Sequence, residues 1–285
     1  MKNFKYNKIL FSALAISILS FSACKDDDEI IEPVVIQEPT SPSDTTVVTD
    51  TTVVNDPETY TATINLTQLA NNAAIRMNTT DYPYTNAMNQ SFNITKLQYL
   101  ISDVTFVLND STTVIDSGYH YVDLTNTASL TYTLNTKIPA GTYTSVGFTF
   151  GFDEEDNVSG AYTDLNTLGW NWPAMLGGGY HFLRLEGSYL DSNNTASEFK
   201  THMGTASDGS TMPRTNEVNH FDVVLPSSSI TVDNNFSFDI EMNIEEWYTD
   251  PIDWDFNVWN APVMPISAAQ KALNSNGSSV FTFKQ

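Results

Sequence analysis

Gly169-Trp-Asn-Trp-Pro-Ala-Met-Leu-Gly-Gly-Gly-Tyr-His-Phe-Leu-Arg-Leu-Glu-Gly187 is the stretch on which the reading of this chain turns. It opens with Trp170 and Trp172, in a context too broken by Pro173 and Gly177–Gly179 for regular structure. From Tyr180 it alternates, with His181, Leu183 and Leu185 on one face and Tyr180, Phe182, Arg184 and Glu186 on the other, which predicts a strand over Tyr180–Tyr189. The turn-prone Asp191-Ser-Asn-Asn194 and a second strand-like run, Glu198–Met203, complete a predicted hairpin. In such a hairpin His181 and His202 fall opposite or diagonal to each other, roughly 4.5–8 Å apart between Cβ atoms, within reach of one metal ion.

The same pattern recurs outward from the hairpin. Short runs rich in Thr, Val, Tyr and Phe are separated by Asn, Asp, Gly and Pro turns: Tyr60–Leu66, Ser91–Thr95, Thr105–Leu108, Thr113–Asp123, Leu130–Leu134, Tyr143–Phe152, His220–Leu225, Phe236–Ile244 and Val280–Phe283. This spacing predicts an all-β fold, a single antiparallel β-sandwich domain with Greek-key links, over residues 59–285. Ser267–Asn274 reads as a short helix, and Thr95–Ser102 as helix or strand.

Residues 1–23 read as an export signal, with Lys2, Lys5 and Lys8 before the apolar run Ile9–Phe21. Cys24, the only cysteine, follows Ser22-Ala23 and is expected to be lipidated as the mature N-terminus. Lys25-Asp-Asp-Asp-Glu29 resembles the Lys-acidic tract that sends lipoproteins of the Bacteroidota to the outer face of the outer membrane. Residues 24–58 then form the acidic tract and a tether rich in Thr, Pro, Ser and Asp, with the repeat Thr45-Thr-Val-Val-Thr-Asp and Thr51-Thr-Val-Val-Asn-Asp. Without the three signal lysines, 9 basic residues stand against 34 acidic ones, a net charge of −25. Such a surface repels phosphate backbones, so nucleic acid is excluded as a partner. With Cys24 committed to the anchor, no thiolate remains for a zinc cage or a blue-copper centre.

Catalytic signatures are missing: the sequence holds no Gly-x-Ser-x-Gly, His-Glu-x-x-His, P-loop or dinucleotide fingerprint. Its acid groups, Asp153-Glu-Glu-Asp156, Glu245-Glu246 and Asp253 with Asp255, read as solvated turns or as oxygen ligands for calcium. Of the four histidines, His120 reads as a hydrogen-bonded core residue and His220 as a polar strand position. His181 and His202 remain as a candidate metal pair. Two imidazoles beside the candidate neighbours Trp170, Trp172 and Met203 suit copper better than calcium or magnesium, although these tryptophans read equally well as core or surface anchors. A ligating imidazole must be neutral, so binding is expected to weaken below about pH 6.5.

Trp170-Asn-Trp172, Gly179-Tyr-His-Phe182, Leu185-Glu-Gly187 and His202-Met-Gly204 together resemble the signature of the MbnP-like family of copper-binding proteins. Phe92–Asp103, with its Tyr-x-x-Ser-Asp ending, and Pro139-Ala-Gly-Thr-Tyr143 before Gly151-Phe152 are similar to the family as well. The resemblance implies copper held by His202 and His181, Trp170 or Trp172 as the tryptophan oxidised to kynurenine, and a di-haem oxidase as partner. Two features depart from it: the first strand reads Ile64-Asn-Leu-Thr-Gln-Leu69 without histidine, and Asn166 stands where a ligand is expected. Three function classes follow. The first is a non-catalytic surface lipoprotein at the outer membrane that acquires or sequesters copper. The second is a glycan- or protein-binding sandwich with exposed tryptophan platforms and calcium in its acidic turns. An enzyme is the third, without a constellation to support it.

Overall fold

The computed structural model describes residues 56–260 and 262–285; Cys24, the export signal and most of the expected tether lie outside the described residues. The strand Lys96–Leu108 is the spine of a nine-stranded sheet. One of its edges pairs with Thr113–Asp123. Its other edge is shared end to end: Leu183–Leu190 pairs with Lys96–Tyr99, and Gly141–Phe150 pairs with Ile101–Leu108. Leu183–Leu190 in turn carries Ala196–Met203 on its far side, the hairpin expected from sequence. The segment read as helix or strand, Thr95–Ser102, is strand and belongs to the spine.

A five-stranded sheet covers the large one. Ala62–Ala70 alternates buried and half-buried along its whole length, as a strand with one face on a core must. The sheets meet through aromatic rings. Phe106 lies 6.1 Å from both Phe236 and Phe238, and Phe150 lies 5.1 Å from Trp247 and 5.5 Å from Phe281. Polar bonds also cross between the sheets, from Gln68 Nε2 to Tyr99 Oη at 2.8 Å and from Tyr132 Oη to Asp116 Oδ2 at 2.6 Å. The described residues therefore form an all-β sandwich, with one difference from expectation: Phe236–Asn243 runs parallel to Ala62–Ala70. The whole large sheet intervenes between these strands in the chain, so no tight turn imposes the antiparallel sense. The helix Ser267–Asn276 buries Ala269, Ala272 and Leu273, while Thr163–Thr167 is a short helix that the strand pattern concealed.

The functional region sits where the spine changes partner. There Gly151 N donates to Leu100 O at 2.9 Å, and Leu100 N donates to Phe182 O at 3.0 Å. Gly151 has φ +91°, and a Cβ at this position would lie against the Phe182 ring. Only glycine tolerates both the backbone angle and the contact, and Phe182 is thereby locked at the entrance to the hairpin.

Candidate functional site

The Trp170–Phe182 segment folds back on itself before the strand begins. Trp172 N donates to Gly179 O and His181 N to Trp170 O, both at 2.9 Å, around an antiparallel bridge between Asn171 and Tyr180. Pro173, a 3-10 turn over Ala174–Leu176 and three glycines at positive φ, Gly177, Gly178 and Gly179, close this loop. The regular strand starts at Leu183, not at Tyr180. Tyr180, His181 and Phe182 are all buried, so the expected alternation does not extend to them. Bonds from Tyr180 N to Asn157 Oδ1, from His181 N to Trp170 O and from Phe182 N to Met203 O hold these three residues in a corner that presents every side chain to the interior.

The hairpin register pairs His202 with Arg184. His181, three residues earlier, nevertheless brings its ring to 5.3 Å from that of His202, at 78°. Trp172 meets His181 edge-to-face at 4.9 Å, and Trp170 lies at 5.5 Å. Met203, the other candidate, is fully buried opposite Leu183. Adjacent strand residues point to opposite faces, so its thioether joins the core on the side away from His202. Gly204 follows, where a Cβ would stand 2.5 Å from the Trp172 ring. Gln270, reaching from the C-terminal helix, donates to His202 O at 2.8 Å and accepts from Gly204 N at 3.1 Å. Nothing in the local sequence marks Gln270 as part of this corner.

Two charged residues complete the site. Arg184 lies over the Trp170 face at 4.4 Å and donates through Nη2 to Gly169 O at 2.6 Å. Glu186 Oε1 accepts from His202 Nε2 at 2.8 Å and from Lys96 Nζ at 3.1 Å. Alternation puts Arg184 and Glu186 on one strand face, and the register adds His202 to it. His181 Nδ1 lies 3.0 Å from Trp170 O and 3.1 Å from Arg184 Nη2. These contacts require opposite tautomers. Donation to Trp170 O leaves a lone pair on Nε2, whereas acceptance from Arg184 places the proton there. Burial, reinforced by Arg184, lowers the His181 pKa to about 3. The expectation that ligation weakens below pH 6.5 therefore does not apply to His181, which is neutral well into the acid range. The hydrogen bond from His202 is the main cause that lowers Glu186 to about 2.

The remaining candidates have their contacts elsewhere. His120 Nε2 bonds Ser129 O at 2.7 Å and its ring stacks on Tyr132 at 4.6 Å. His220 Nε2 approaches Glu154 at 4.0 Å. Asn166 accepts from Tyr180 Oη at 3.0 Å, which ties the Thr163–Thr167 turn to the site loop. Trp170, Trp172, Trp247 and Trp254 are buried and Trp259 is partly so. Stacking platforms need an open ring face, so these tryptophans do not form the expected ligand surface. Asp153 Oδ1 caps the N–H groups of Glu155 and Asp156 in its own turn. Among the described residues no three His, Cys, Asp or Glu side chains gather as a metal cluster. The site thus offers two imidazoles, one of them deeply buried and neutral, enclosed by indole rings. That donor set fits a transition-metal ion bound through imidazole rather than one that needs six oxygens.

Comparison with known proteins bears on the whole domain. No curated protein sequence matches the chain. Among solved structures, MbnP from Methylosinus trichosporium superposes with a TM-score of 0.50 at 13% identity, covering 80% of this chain and 99% of that one, a likeness of fold. The family model MbnP matches residues 59–265, the greater part of the chain. The protein is a member of the MbnP family.

Proposed function

We propose that this protein binds copper through His181 and His202, with Trp170 and Trp172 lining the site, and that it acquires or sequesters the metal without catalysing a reaction. The observation that carries this reading is the approach of two imidazoles to 5.3 Å at a buried corner of the fold. His181 is already neutral there, so no proton need leave it when an ion binds. Family membership supports a copper role, and with Cys24 read as the lipid anchor, imidazole is left as the strongest donor type. Titration of the metal-free protein with Cu(I) and Cu(II) tests the reading. His181→Ala and His202→Ala should each lose more than the roughly 10–100-fold that outer-shell changes cost. His120→Ala, remote in its bonding, should retain wild-type affinity. Equal affinity in all three variants, or none in the wild type, defeats the copper reading.

The proposal extends to location. Cys24, behind an export signal and before an acidic tract, is read as the lipid anchor that carries the domain on a tether at the outer-membrane surface. Protease added to whole cells should then release the domain by cutting between residues 30 and 58. Resistance in intact cells, with digestion after outer-membrane rupture, places the protein inside.

A further inference from the structure

Among the described residues Glu186 is the carboxylate bonded to a candidate histidine, and its surroundings dictate what it does to His202. It projects from the middle strand of three. Lys96 is its paired residue on one side, and His202 lies diagonally across on the other, next but one to its paired residue Lys200. Oε1 takes a hydrogen from each of these neighbours. The side chains of Glu186 and His202 are only 17% and 15% exposed, so water competes little for this bond. Lys96 Nζ stands 3.1 Å from the same oxygen, an ion pair that holds Glu186 as a carboxylate. An ionised carboxylate only accepts hydrogen bonds. The hydrogen between Glu186 and His202 therefore belongs to His202 Nε2.

We propose that Glu186 is a positioning residue: it fixes the proton of His202 on Nε2 and so presents Nδ1 to the ion. This rests on the copper reading for the identity of the ligand, but the tautomer can be observed without copper. A neutral imidazole has one N–H and one lone pair, so commitment of Nε2 to Glu186 leaves Nδ1 as the only donor atom. At His181, by contrast, Trp170 O and Arg184 Nη2 both meet Nδ1 and ask opposite tautomers of the ring, so no single partner sets its proton. A carboxylate behind a ligating imidazole also raises its basicity, which strengthens its bond to a metal.

The experiment uses the full chain with 15N-labelled histidine, metal-free and at about pH 9, above the ordinary imidazole range. With only four histidines, the His202 signals are assigned by their loss in His202→Gln. Long-range proton–nitrogen spectra should show His202 protonated at Nε2 in the wild type. Glu186→Leu should release it into a mixture of tautomers, and Glu186→Gln, whose amide oxygen still accepts, should keep it. Unchanged His120 signals in each variant establish that the fold is intact. In parallel, Glu186→Leu should weaken copper binding by roughly 10–100-fold, with most of the loss recovered in Glu186→Gln. Wild-type His202 protonated at Nδ1, or an unaltered tautomer in Glu186→Leu, overturns the assignment. Equal copper loss in the Leu and Gln variants also overturns it, by making the carboxylate a ligand in its own right. If the wild type keeps Nε2–H but binds no copper, the copper reading fails while the role of Glu186 in orienting His202 stands.

Discussion

The neutrality of buried His181 makes the stability of the metal-free protein depend on pH in a calculable way. The imidazole has a pKa of about 3 in the folded protein and about 6.5 in the unfolded chain. Between these values the unfolded state binds a proton that the folded state refuses. Unfolding free energy therefore falls as pH falls through this window, at up to about 1.4 kcal/mol per pH unit. The contribution is complete above about pH 6.5 and has disappeared by about pH 3 in its effect relative to neutral. Between pH 7 and pH 5 the loss from His181 alone is about 2 kcal/mol. Since His181 is only 5% exposed, solvent screening takes little from this figure. Glu186 acts lower down: its depressed pKa stabilises the fold above the unfolded carboxyl value of about 4.3, and that support is lost only as pH falls toward about 2. Burial also lowers His120, which adds a slope of the same sign. Urea unfolding of wild type and His181→Gln at pH 7 and pH 5, with a chelator present, separates the two histidines. Wild type should lose about 2 kcal/mol more than the variant over this interval. Parallel pH dependence in both proteins would refute the reasoning, because it would mean that His181 carries its proton in the folded state.

Two further substitutions probe the corner that holds the histidines. Gly204→Ala should destabilise the fold by about 1–3 kcal/mol, because its methyl would stand 2.5 Å from the buried Trp172 ring; urea midpoints measure the loss, and an unchanged midpoint would show that the indole can move freely. Gln270→Leu should cost about 3 kcal/mol, since it strips partners from Gly204 N, His202 O and Val263 O inside the protein. Hydrogen exchange at Gly204 N should accelerate in this variant, and unaltered protection would show that another group satisfies it.

Strand alternation carried most of the fold. Thr113–Asp123 has the bounds its sequence predicts, and Ser267–Asn276 extends its expected helix by two residues. These segments announce themselves because one face of each meets the core, and burial writes a period of two or of nearly four into the residues. The long spine Lys96–Leu108 was less legible. Leu100, Ile101 and Ser102 are buried in succession where the strand changes partners and bulges at Asp103, so its pattern breaks in the middle. The parallel ladder between Ala62–Ala70 and Phe236–Asn243 left no local trace, since each strand buries one face only and so alternates whichever way its neighbour runs.

The site shows where local pattern stops being informative. The proximity of His181 and His202 was legible from the hairpin, yet the reason given by alternation was incomplete. A His181 in register with Leu183 would share its face, whereas His202 shares the face of Arg184 and Glu186. The rings meet because the chain leaves the strand at Phe182 and turns, under the constraint of Gly151, so that His181 reaches across the end of the ladder. Met203 was misplaced for the complementary reason: proximity in sequence to His202 puts it on the opposite side of a regular strand. Residues of the regular ladder thus supply the orienting charges, Arg184 and Glu186, and an irregular corner supplies the buried imidazole. A ladder alone would have spaced two histidines on one half-open face. The corner lowers one of them into the protein, where burial strips its proton, while the ladder keeps the other against a carboxylate. That division gives the two imidazoles different environments from the same short hairpin, and it assigns each neighbouring residue a distinct task that substitution can separate.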